Sequence, residues 1–143
     1  AKRVYAVDVG TNQLDYRLRV EPRVTVMEQQ NAKDLTPEHF PEPPQLCTID
    51  VSFIGLRKIL LPVMAVLSPP WKIIMLVKPQ FELGPEYIEK GGIVRKEEDQ
   101  KLAVELVTTF LQEAGAQVKA TVPSSLRGAK SGNQEYFILA SSE

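Results

Sequence analysis

One cysteine, one histidine and one tryptophan occur among 143 residues. Cys47 alone forms no intrachain disulfide and excludes a cysteine-based zinc site. His39 alone leaves no histidine cluster for a metal and no evident histidine base, so no metal is expected. Long apolar runs are missing too. The longest, Ile59 to Leu67, contains Pro62 and falls far short of the ~20 residues that cross a bilayer. Neither sign of charge is in excess: 17 Lys and Arg stand against 18 Asp and Glu. A globally basic nucleic-acid binder is thereby excluded, while a local basic face is not. The N-terminus, Ala1-Lys2-Arg3-Val4, has no initiator Met and no apolar signal-peptide core. It opens almost directly into a strand pattern, so the chain is expected to start inside a domain. Internal repeats and low-complexity segments are absent.

What is present suits one soluble globular domain over residues 1–143, with 43% hydrophobic and 24% charged residues. Two periodicities alternate along it. Strand patterns fall at 4–7, 24–27, 46–49, 72–77, 118–122 and 136–139. Helical patterns fall at 11–19, with Thr11 as N-cap, at 56–67, where Pro62 predicts a kink or a late start, and at 97–114. The last places Leu102, Leu106, Phe110 and Leu111 on one face, and Gly115 stops it. Pro37, Pro41, Pro43 and Pro44 mark an irregular loop. Lys78-Pro79 predicts an exit from regular structure into a long polar stretch. Strands alternating with helices imply βαβ units and an open, mostly parallel sheet with helices on both faces.

Ligands of such sheets sit at the carboxyl ends of the strands. Those ends carry Asp8, Asp50 and Lys78, with Glu135 at the entrance to the final strand. Asp8 is placed either to accept hydrogen bonds from ribose hydroxyls or simply to start a helix. Asp50 lies between apolar neighbours in Ile49-Asp50-Val51-Ser52-Phe53, so a buried carboxylate with a cationic partner is expected. Lys78 follows five apolar residues. A lysine leaving a buried strand is partly stripped of water, which makes it a candidate proton acceptor. Glu135 by itself reads as a solvated acid, and only pairing with Lys78 would give it interest. Lys90, Arg95 and Lys96 surround Gly91-Gly92, and Arg127 and Lys130 flank Gly128. These two glycine-bearing basic loops suit contact with phosphate groups.

Four motifs together carry a family resemblance. Val4-Tyr5-Ala6-Val7-Asp8-Val9-Gly10, Asp50-Val51-Ser52-Phe53-Ile54, Leu76-Val77-Lys78-Pro79-Gln80-Phe81-Glu82 and Lys90-Gly91-Gly92-Ile93-Val94-Arg95 resemble the TlyA family. These are haemolysin-A-like ribosomal RNA methyltransferases with an FtsJ-like catalytic domain, and the resemblance runs from about Lys2 to Leu139. It implies a Rossmann-like class I methyltransferase fold and methyl transfer from S-adenosylmethionine to a ribose 2′-hydroxyl of ribosomal RNA, on RNA or a ribosomal subunit in the cytoplasm. Asp50, Lys78 and Glu135 match the last three members of the family's Lys-Asp-Lys-Glu tetrad, with Lys78 as general base. Asp8, Val9, Asn31, Ala32 and Asp50 match the cofactor site, and Ser52, Lys90, Arg95 and Arg127 the RNA side. The tetrad's first lysine, the first strand with its glycine-rich loop, and a small N-terminal RNA-binding domain are expected upstream of Ala1. The strand at residues 3–8 should then flank an open central position. Asp50 and Glu135 should converge on Lys78, with the lysine bridging both.

Other classes fit less well. A nicotinamide-dependent enzyme would also place an acid at Asp8, yet no His-Asp pair offers a hydride-transfer site. A haemolysin acting on membranes would need a strongly amphipathic segment, and the 97–114 helix opens with Glu97, Glu98 and Asp99, which repel anionic lipid. A non-catalytic RNA-binding role remains the alternative.

Overall fold

The computed structural model describes residues 1–128 and 132–143. Two short parallel strands open it, β1 (Val4–Val7) and β2 (Val24–Met27), with Val4 opposite Val24 and Val7 opposite Met27. Their connection carries a single helical turn, α1 (Tyr16–Arg19). It begins later than the sequence pattern implies. Asp15, not Thr11, is the N-cap, its carboxylate accepting from the Arg17 N–H, and a charged cap beside an arginine outcompetes the threonine hydroxyl.

A second sheet follows the order β3-β4-β6-β5: β3 (Leu46–Ile49), β4 (Lys72–Val77), β6 (Tyr136–Ser141) and β5 (Gln117–Pro123). β3 and β4 are parallel, whereas β6 runs antiparallel to both of its neighbours. The strands thus fall into two sheets, in agreement with the open position expected beside the strand at residues 3–8. Among the described residues β1 pairs only with β2, and β3 pairs on one side only, with β4. The first sheet is tied to the rest through Tyr5. Its ring meets Phe40 edge-on at 4.8 Å between centroids, and its hydroxyl donates to the Glu42 carbonyl at 3.1 Å.

The core lies between the second sheet and two helices. Ile49, Ile73, Met75, Val77, Ile138 and Ala140 pack against Leu60, Val63 and Val66 of α2 (Leu60–Val66) and against α4 (Glu97–Glu113). Each fully buried aliphatic side chain there contributes about 1.5–3 kcal/mol. The stripe that α4 buries is Ala103, Val107 and Leu111. Of the predicted face Leu111 is buried in the core and Phe110 packs against it, whereas Leu102 and Leu106 are half-buried. α2 has the late start that Pro62 predicted: Leu56–Lys58 forms a separate 3-10 turn, and Pro62 sits in the first turn of α2, where its missing N–H costs nothing. The other face of the second sheet leaves Ile74 and Phe137 each 40% exposed, so among the described residues α2 and α4 cover one face.

Proline also acts against expectation at Pro79. Rather than ending regular structure, it opens a short helix, α3 (Pro79–Glu82), as its first residue, where a fixed φ is already helical.

Candidate active site

Ladder register decides what meets at the end of β4. Ile49 lies opposite Met75 in the parallel β3–β4 pair, and extending that register past the strand ends brings Ser52 level with Lys78. Val77 lies opposite Tyr136 in the antiparallel β4–β6 pair, and one further step brings Lys78 level with Glu135. Segments distant in sequence therefore converge on one lysine.

The Lys78 Nζ stands 2.7 Å from Asp50 Oδ1 and donates to Ser52 Oγ at 3.0 Å. Lys78 is largely withdrawn from water, as its place at the end of a buried strand implies, but Asp50 is not the buried carboxylate that its apolar neighbours implied. The Lys78 side chain is 13% exposed and that of Asp50 is 71% exposed. β3 ends at Ile49, so Asp50 already lies beyond the sheet despite its apolar neighbours. The bridging of both acids by Lys78 also needs correction: among the described residues its ion pair is with Asp50 alone. Glu135 is nevertheless part of the cluster and is not the solvated acid that its sequence context suggested. It is buried, and burial pushes its carboxyl above the ordinary glutamate range, with Lys78 opposing and Asp50 reinforcing the rise. Ser52, assigned to the RNA side by resemblance, accepts a hydrogen bond from the lysine.

A second group forms at the ends of β1 and β2. Asp8 Oδ1 accepts from the Gly10 N–H at 2.7 Å, closing a tight turn. The Gln30 N–H donates to the Asp8 carbonyl and the Gln29 N–H to the Gly10 carbonyl, which brings Asp8 and Val9 beside Asn31 and Ala32. Asn31 caps the 3-10 turn Ala32–Asp34 through its side chain. Asp8 is exposed and lines a cavity of about 140 Å³ with Val7, Gln13, Leu14 and Glu28. A carboxylate with one backbone N–H on one oxygen retains acceptor capacity for a pair of ribose hydroxyls. These residues fit an adenosyl cofactor.

Lys90, Arg95 and Arg127 are all exposed, as a phosphate-binding role requires. Lys130 lies outside the described residues. Cys47 offers no nucleophile: burial pushes its thiol up to about 11, leaving it protonated near neutral pH.

Two residues beside the cluster escaped the sequence reading. Glu82 is buried; its Oε1 accepts from the Leu56 N–H at 2.6 Å, and its Oε2 lies 3.7 Å from Arg57 Nε. It thus pins the segment after Ser52 to the helix after Lys78, fixing both sides of the ion pair. The only sequence signal was its place at the end of the Lys-Pro-Gln-Phe-Glu motif. Phe53 adopts φ +64, unusual for a bulky residue, and is 91% exposed, with its ring 5.2 Å from that of Phe81. No periodicity marks an aromatic ring held outward beside Ser52.

The chain is similar to known proteins. A family described as FtsJ-like methyltransferase matches residues 1–142. The chain is 40% identical over 138 residues to the 16S/23S rRNA (cytidine-2′-O)-methyltransferase TlyA of Mycobacterium tuberculosis, covering 96% of this chain and 51% of that protein. It is 40% identical over 139 residues to Hemolysin A of Brachyspira hyodysenteriae, covering 96% of this chain and 57% of that one. The chain therefore spans about half the length of the curated relatives it matches. Among solved structures, one from Streptococcus thermophilus named as a hemolysin superposes with a TM-score of 0.94 at 42% identity, over 99% of this chain and 51% of that one. N-methyltransferase NodS of Bradyrhizobium japonicum, at 11% identity and a TM-score of 0.64, covers 98% of this chain and 73% of its own and shares the fold alone.

Proposed function

The chain belongs to the FtsJ-like methyltransferase family, and from that premise we propose that it transfers a methyl group from S-adenosylmethionine to a ribose 2′-hydroxyl of ribosomal RNA. The observation that carries this reading is the Lys78 Nζ, set into the protein at the strand ends and held by Asp50 at 2.7 Å and Ser52 at 3.0 Å. S-adenosylmethionine, when bound, supplies a methyl already activated on a sulfonium. The protein's task is then to align the hydroxyl and take its proton.

Asp50 and Ser52 occupy two directions around Nζ, leaving a third for the ribose hydroxyl. As a neutral amine, Lys78 accepts the hydroxyl proton on its lone pair as the oxygen attacks the methyl carbon, and the resulting ammonium is neutralised in place by Asp50. Buried Glu135 completes the acidic surround of the same nitrogen. Asp8, with Val9, Asn31 and Ala32, holds the adenosyl ribose and its neighbourhood. Lys90, Arg95 and Arg127 take RNA phosphates, and exposed Phe53 offers a stacking face to a splayed base. The substrate places the reaction with the ribosome, in the cytoplasm. Among the described residues no helix is long and apolar enough to cross a membrane.

The test is transfer of labelled methyl from S-adenosylmethionine to ribosomal subunits and to naked ribosomal RNA, with nuclease mapping of the product. Label in a 2′-O-methyl nucleotide is expected. Label on a base, or none on either RNA preparation while the cofactor binds, overturns the assignment.

A further inference from the structure

Asn133 is completely buried, and its side chain reaches into the Gly91-Gly92 loop. Its Oδ1 accepts from the Val94 N–H at 2.9 Å, and its Nδ2 donates to the Gly92 carbonyl at 3.0 Å. Its backbone carbonyl accepts from the Gly128 N–H at 2.9 Å. One residue therefore grips both basic loops, the one bearing Lys90 and Arg95 through its amide and the one bearing Arg127 through its main chain. It lies two positions before Glu135.

The first loop has a second tether. Gln100 of α4 is buried, donates from Nε2 to the Val94 carbonyl at 2.9 Å, and accepts from the Tyr136 hydroxyl at 3.2 Å. Tyr136 is the first residue of β6 and pairs with Val77, next to Lys78. The polar network thus runs from the basic loop to the strand ends that carry the site. A buried amide left unpaired is costly, so such a network persists only when its members are matched, and when matched it fixes one geometry.

We propose that Asn133 is a positioning residue that holds the two basic loops in register with Glu135, so that RNA phosphates gripped by Lys90, Arg95 and Arg127 present a ribose hydroxyl to Lys78. This rests on the RNA-methylation reading above. Asn133 touches neither RNA nor cofactor; it sets where the cations stand relative to the reacting centre. Asn133→Asp keeps an acceptor for the Val94 N–H but removes the donor to Gly92, so it releases one side of the clamp with little change in shape. Gln100→Leu releases the second tether without altering Asn133.

The experiment measures methyl transfer to ribosomal subunits, RNA affinity against salt, and S-adenosylmethionine affinity, using the protein expressed from its native gene. For Asn133→Asp the expected result is a KM for the ribosomal substrate raised about tenfold, with kcat at saturation and cofactor affinity within about twofold of the parent. The slope of log affinity against log salt should become shallower by about 1, as when a phosphate contact is lost. Gln100→Leu should move the same two quantities in the same direction, and it decides the matter if Asn133→Asp does not fold. An unchanged KM and salt slope in a folded variant overturns the proposal, as does a fall in kcat and cofactor affinity without a change in KM. A Lys90→Ala/Arg95→Ala variant separates this from the underlying reading. If that variant leaves RNA affinity untouched, the RNA role of the loop fails. If it weakens RNA while Asn133→Asp and Gln100→Leu do not, only the positioning role fails.

Discussion

The ion pair of Lys78 and Asp50 is lopsided: at 2.7 Å separation the cation's side chain is 13% exposed and the anion's 71%. The lysine is the member set into the protein, and the aspartate reaches in from the solvent side. The pair thus leaves no buried charge without a partner where the lysine enters the protein.

Lys78→Ala should abolish methyl transfer to RNA and leave S-adenosylmethionine affinity within about twofold. Lys78→Arg is the sharper variant, because arginine keeps the charge and the hydrogen bonds but does not deprotonate in a protein. Turnover with labelled cofactor at saturation is expected to be lost in both. Near-parental turnover in Lys78→Arg would show that the base lies elsewhere, with Glu135, Asp50 and water as the remaining choices.

Asp8→Ala should do the opposite, weakening cofactor binding by about 1–3 kcal/mol, the range for hydrogen bonds to a charged group. Isothermal titration with S-adenosylmethionine reads this directly. A cofactor affinity equal to the parent's would remove Asp8 from the site.

Phe53→Ala should leave thermal stability nearly unchanged, since the ring is 91% exposed, and raise the KM for the ribosomal substrate several-fold through loss of a stacking face. Phe53→Tyr should restore it. Equal KM values in parent and alanine variant would make the outward ring incidental to RNA binding.

Glu82 makes stability depend on pH. Burial raises its carboxyl above the ordinary 4.5, so the folded state binds the proton more readily than the unfolded chain. Its contribution to stability therefore grows as pH falls from the raised folded value to about 4.5 and is lost as pH rises through that window. Glu82→Gln, which keeps an acceptor for the Leu56 N–H, removes this dependence. Urea unfolding of both proteins between neutral pH and 4.5 should show the parent gaining on the variant as pH falls. A constant difference, or one of opposite sign, would count against the burial of that carboxyl.

The element pattern was legible because it is local. Five apolar residues before Lys78, the acids closing β1 and β3, and the α4 periodicity each speak of a few neighbouring side chains, and Asp8, Asp50 and Lys78 could be placed at strand ends on that basis. The motif resemblance extended this to Glu135. Caps and boundaries moved where competing local chemistry won: Asp15 over Thr11, and Pro79 as a helix start rather than a stop.

What the chain's order did not contain is register and depth. The Val77–Tyr136 and Ile49–Met75 pairings bring Glu135 and Ser52 level with Lys78, and no periodicity within one strand specifies its alignment with another. The exposure of Asp50, the burial of Glu135, and the reach of Asn133 into a loop some forty residues earlier follow from how the strand ends and α4 close around them. Local sequence determined which residues form strands and which charges stand at their ends. Only the tertiary structure decided which charges face one another, because partnership is set by ladder alignment and packing between segments far apart in the chain.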